Sequence, residues 1–116
     1  MGKASLAYGR GKIINAAALY NTLALDGVWL DFRDPDGCRE DTQYIKSMGF
    51  SGRFAIHPDQ IKPIHDAYRP TKTELEWAKG VLEEAKTAGT GAFKYQGKMV
   101  DAPVLAVARS ILSRED

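Results

Sequence analysis

Apolar positions recur at helical spacing over residues 9–21, where Ile13, Ile14, Ala17 and Ala18 share one face. The spacing predicts a helix that stops at Asn21, since Asn tolerates the left-handed backbone that closes helices. The pattern then changes to a short unbroken run, Leu23-Ala24-Leu25, which reads as a buried strand ending at Asp26-Gly27. A turn-rich acidic stretch follows, Asp31-Phe32-Arg33-Asp34-Pro35-Asp36-Gly37. Helical spacing returns from about Gly37 to Met48, with Gly49 as the stop. Phe54-Ala55-Ile56 reads as a second short strand. It ends in His57-Pro58, and Pro58 suits the first turn of a helix running to about Tyr68.

Pro70 breaks the chain, and Thr71-Lys72-Thr73-Glu74 is a capping box. The helix it opens carries Leu75, Ala78, Val81, Leu82 and Ala85 on one face and ends at Gly89. Ala92 to Val100 reads as a hairpin around Gln96-Gly97, and Pro103 to Ser113 as a last helix. Alternating helices and strands are the mark of an α/β fold. Two short apolar strands cannot close a sheet, because parallel strands are covered on both faces and need neighbours. The pattern therefore predicts a piece of a larger α/β fold.

The chain has 116 residues, enough for one modest domain, and its 44% apolar and 27% charged shares are ordinary for a globular protein. A net charge of +1 gives no electrostatic reason to expect nucleic acid or a membrane surface as partner. No apolar run reaches spanning length, and Met1 to Leu6 does not read as a secretory signal. Cys38, the only cysteine, excludes an internal disulfide and fits a reducing, cytoplasmic compartment.

Few residues stand out as chemical candidates. Asp101 sits between the hairpin and a proline-opened helix, so it reads as an exposed helix cap, a role that would also orient a carboxylate for chemistry. His57 lies at the carboxyl end of a predicted parallel strand, where α/β folds bind ligands. It reads either as a structural residue, as one that shapes a site, or as a proton-transfer group. The acidic loop fails the calcium template, because setting Gly37 at position six puts Phe32 where a carboxylate is required. Gly9, Arg10 and Gly11 match no phosphate-cradle spacing, and Trp29 and Trp77 read as packing residues.

Two blocks carry more information together than any single residue. They are Gly52-Arg53-Phe54-Ala55-Ile56-His57-Pro58-Asp59-Gln60-Ile61 and Gly97-Lys98-Met99-Val100-Asp101-Ala102-Pro103-Val104. With Tyr8 to Ala17 and Leu25 to Gly37 in the same order, the sequence resembles the C-terminal part of the HpcH/HpaI aldolase family, which includes citrate lyase β-subunits and citramalyl- and malyl-CoA lyases. The resemblance implies the last two β/α units of a (β/α)8 TIM barrel over residues 1–69 and a helix–hairpin–helix lid extension over 70–116. It implies Mg²⁺-assisted carbon–carbon cleavage of CoA thioesters, with an α-keto acid as the other fragment. Asp101 matches the lid carboxylate that handles the proton, and Ile56, His57 and Pro58 match a segment that approaches the CoA portion. The family's metal ligands come from earlier strands, so no metal ligand is expected here. The expected partners are the substrate and either further copies of the chain or the rest of a barrel.

On this reading the chain alone is inactive. A non-catalytic assembly module derived from such an enzyme is the alternative, and an unrelated small helical protein a third possibility.

Overall fold

A computed structural model describes residues 2–89 and 91–115. They form two compact units, Met1–Tyr68 and Arg69–Asp116.

In the first unit, helix α1 spans Lys3–Leu19, so it starts well before the Gly9 expected from apolar spacing. Lys3 to Tyr8 is rich in Ala, Leu and Lys, which favour helix intrinsically, and Gly9 and Gly11 are carried inside it. The stop is as expected. Asn21 takes φ 50°, while Thr22 N–H donates to the Ala17 carbonyl at 2.9 Å and Asn21 N–H to that of Ala18 at 3.2 Å. This double closure satisfies carbonyls the helix leaves free. Helix α2, Pro35–Met48, is opened by Asp34, whose carboxylate accepts from Gly37 N–H at 3.0 Å. It closes in the same double manner as α1, on Gly49 at φ 116°, a backbone state that favours glycine.

The strands differ from expectation. Strand β1 is Leu25–Asp26 and strand β2 is Gly52–Arg53, paired in parallel. Leu23 is 75% exposed, and Phe54 and Ile56 are 59% and 53% exposed, so the apolar runs read as buried strands lie largely outside the ladder. Each strand has the other as its only described partner, which leaves nothing to cover those side chains. The core beneath gathers Ala24, Ile45 and Phe50, with Ile14, Ala17, Tyr44 and Met48 against them. After β2 the chain makes a 3-10 turn, Pro58–Gln60, and helix α3, Ile61–Tyr68, which packs on α2.

The second unit follows the sequence closely. Thr71 caps helix α4, Lys72–Ala88, by accepting from Glu74 N–H at 3.1 Å. Strands β3, Phe93–Tyr95, and β4, Lys98–Val100, form the hairpin, with Gln96 and Gly97 at φ 50° and 79° as a two-residue turn demands. Helix α5, Ala102–Ser113, returns along α4. The core is Ala78, Val81, Val100 and Ala108, with Trp77, Phe93 and Tyr95 packed around it.

Gly80, in the middle of α4, costs helix propensity, but a Cβ there would overlap the phenol of Tyr95. Gly80→Ala is therefore expected to destabilise this unit by roughly 1–3 kcal/mol, as overpacking does, despite the better helix former. A thermal melt followed at the Trp77 fluorescence checks this, and a stabilised variant would show that Tyr95 moves aside freely.

Candidate active site

The carboxyl ends of β1 and β2 lead into two loops, residues 27–34 and 54–57, which the structure holds side by side. Below them lies a buried ion cluster. Arg10 of α1 donates through Nη2 to Asp26 Oδ2 at 2.9 Å and Asp41 Oδ2 at 3.1 Å. Arg53 of β2 donates through Nη1 to the same Asp41 oxygen at 2.8 Å, and through Nε and Nη2 to the Gly27 carbonyl at 3.2 and 3.0 Å. The four side chains are 2–11% exposed. Burial works against the Arg10 charge, but the Asp26 hydrogen bond and the attraction of Asp41 and Asp26 outweigh it and raise its pKa.

Two further contacts join the loops above. Gln60, 1% exposed, accepts from Ile56 N–H at 2.9 Å and donates Nε2 to the Trp29 carbonyl at 2.7 Å. The rings of Phe32 and His57 stack at 4.7 Å between centroids. Beside these loops is a cavity of about 590 Å³, lined by Lys3, Arg10, Trp29, Asp31, Glu40 and Arg53 among others.

Of the candidates, Ile56, His57 and Pro58 thus lie together at the strand ends, with Ile56 and Pro58 exposed and His57 half-buried. Asp101 belongs to the other unit. It is exposed, caps α5 by accepting from Val104 N–H at 3.4 Å through Oδ1, and its second oxygen makes no hydrogen bond or ion pair with a described residue. The acidic loop has local duties. Asp34 caps α2, Asp31 accepts from Arg33 N–H at 3.1 Å, and Asp36 pairs with Arg39 at 2.7 Å. Among the described residues no group of three or more His, Cys, Asp or Glu is placed to hold a metal ion. The described residues thus offer no such cluster to a Mg²⁺ ion. Among the described residues no helix is long and apolar enough to cross a membrane.

Neither the ion cluster nor Gln60 stands out from sequence pattern. A signal exists for Asp41. Cys38, Asp41, Thr42 and Ile45 form the buried stripe of α2 at helical spacing, and a carboxylate on such a stripe needs a cation. Arg10 stands in the sequence only between two glycines whose spacing matches no phosphate cradle; it lies mid-helix with its guanidinium buried.

Cys38 is fully buried beside Thr42, and burial pushes its thiol pKa up from the ordinary 9.0, despite the opposing charge of Arg53. It is expected to react with Ellman's reagent at least roughly a hundredfold slower in the folded chain than in denaturant. Because the folded value is the higher one, its contribution to stability is complete below pH 9.0 and is lost as pH rises through the folded value. Equal labelling rates would contradict the burial.

Comparison with known proteins follows the same outline. Residues 12–116 match the family model for the carbon–carbon bond lyases of the TIM-barrel fold. Over 109 residues the chain is 37% identical to the mitochondrial citramalyl-CoA lyase of Rattus norvegicus, covering 91% of this chain and 32% of that protein. It is 41% identical to a citrate lyase subunit beta-like protein of Mycobacterium tuberculosis, covering 90% and 38%. The structure of protein CitE from Mycobacterium tuberculosis, in complex with magnesium, acetoacetate and coenzyme A, superposes with a TM-score of 0.83 at 40% identity, over 93% of this chain and 40% of that one. A citrate lyase from Burkholderia xenovorans shares the fold with a TM-score of 0.76 at 24% identity, over 94% and 34%. The chain thus spans about a third of the length of these relatives. Its two short parallel β/α units, with a helix–hairpin–helix after them, are a piece of a TIM-barrel α/β fold, and the chain belongs to the family of TIM-barrel carbon–carbon bond lyases.

Proposed function

We propose that this chain supplies the last two β/α units and the lid of a Mg²⁺-dependent acyl-CoA lyase of the citramalyl- or malyl-CoA type. Residues 1–69 would be the barrel end and 70–116 the lid. Asp101 would be the acid–base group, and Ile56, His57 and Pro58 would meet the CoA portion. The observation that carries the reading is Asp101 itself, an exposed carboxylate held by the hairpin–helix junction with one oxygen uncommitted.

In a 3-hydroxyacyl thioester whose C3 carries a carboxylate, loss of the hydroxyl proton to a base outside this chain and cleavage of the C2–C3 bond would release an α-keto acid and leave an enolate on the thioester carbon. The protonated Asp101 would deliver a proton to that carbon, and in the reverse direction the carboxylate would remove it. The metal finds no ligand set among the described residues, so its ligands would belong to parts of the enzyme outside this chain. Alone, the chain would be inactive. The test is to join this chain to the preceding strands of a family barrel and assay keto acid release from citramalyl-CoA with Asp101 and with Asp101→Asn.

A second reading, a non-catalytic assembly module, draws on the exposed apolar side chains of Tyr8, Leu19, Tyr20 and Leu23, each at least 75% exposed. A completed barrel that binds CoA but never turns over would favour it.

A further inference from the structure

His57 is held more tightly than an exposed-loop histidine needs to be. Asp59 N–H donates to its Nδ1 at 3.1 Å, and Gln60 N–H donates to its carbonyl at 3.0 Å. Its ring lies within 14° of parallel to Phe32. The residue before it is fixed too, because Ile56 N–H is bonded to the buried Gln60 amide, itself tied to the Trp29 carbonyl. These contacts have a chemical consequence. A backbone N–H can only donate, so Nδ1 must be the acceptor and carries no proton. The neutral ring then bears its proton on Nε2. The Asp59 carboxylate lies 3.6 Å from Nδ1, too far to compete for it while Nδ1 is unprotonated.

We propose that His57 is a pre-oriented hydrogen-bond donor, offering Nε2–H to an oxygen of the CoA thioester, and that Gln60 is the positioning residue that holds it there. This rests on the CoA-binding role given above to Ile56, His57 and Pro58, and it assigns His57 no proton transfer. Fixing a donor before the ligand arrives removes the ordering cost of binding. The acceptor can be a carbonyl of the pantetheine arm or a phosphate oxygen of the nucleotide end, which present the same chemistry to an N–H.

The experiment uses the 116-residue chain labelled uniformly with ¹⁵N. Long-range ¹H–¹⁵N spectra at neutral pH are expected to show a bare Nδ1 and a protonated Nε2. A protonated Nδ1, or an even mixture of tautomers, overturns the proposal. Millimolar CoA is expected to move the Nε2 resonance. Pantetheine and ADP, titrated separately, show which end supplies the oxygen, and a resonance that moves with none of the three overturns the donor role. His57→Asn keeps a side-chain acceptor for Asp59 N–H but loses the distal donor, so the Ile56 amide should stay protected while the Ile56 and Asp59 amides cease to respond to CoA. Gln60→Leu should speed exchange of the Ile56 amide about tenfold, as loss of one hydrogen bond allows, and mix the tautomers. Unchanged exchange and tautomer in that variant remove Gln60 from its positioning role. None of these readouts involves turnover, so a failure of the Asp101 assignment would be seen separately.

Discussion

Asp41→Ala is expected to destabilise the first unit by roughly 3–5 kcal/mol, the usual effect of removing one partner from a buried ion pair. Asp41 Oδ2 accepts from both Arg10 and Arg53, at 3.1 and 2.8 Å, and the Asp41 side chain is only 8% exposed. Without it two buried guanidinium groups would share the single carboxylate of Asp26, and Arg10 already has Nε and Nη1 without a hydrogen bond. The cluster joins α1, β1, α2 and β2, whose apolar core is small. Little else in that unit can absorb an uncompensated charge. For a unit of this size such a loss lowers the melting temperature by more than about 12 °C, read from amide signals of residues 2–68. A loss below about 1 kcal/mol would place the cluster with exposed ion pairs, whose worth is small.

Asp101→Asn in a barrel completed by the missing strands is expected to lower kcat by about 10²–10⁴-fold, the range general acid–base groups contribute. Asparagine caps helices as well as aspartate does, so the 3.4 Å bond to Val104 N–H should persist and the lid should fold unchanged. Asn cannot exchange the proton. Asp101→Ala should combine the loss of turnover with about 1 kcal/mol of lost capping. If the Asn variant turns over as fast as the parent, Asp101 is a helix cap only.

The caps and turns are legible in the sequence. Asn21, Gly49, Thr71 and Gly89 sit at helix ends as their residue types imply, and the Gln96-Gly97 hairpin and the Asp101 cap follow the same local rules. Each depends on atoms within about five residues of one another, so the sequence states them directly. The order of blocks likewise carries the family and its α/β fold, matched over residues 12–116.

The strands are less legible, because a strand is defined by its partner. Leu25–Asp26 and Gly52–Arg53 are strands through their pairing with each other, whereas Phe54 and Ile56 have the better propensity and lie exposed. The site is hidden for the same reason. Arg10 meets Asp26 and Asp41 across 16 and 31 positions of chain, and Gln60 meets Trp29 across 31. Neither residue shows by itself that it is buried. Local chemistry thus sets the helix ends, the hairpin and the exposed Asp101, and block order sets the family. Long-range packing settles which charges are buried together and that the Gln60 amide ties Ile56 to Trp29, because those energies exist only once distant elements exclude water from between them.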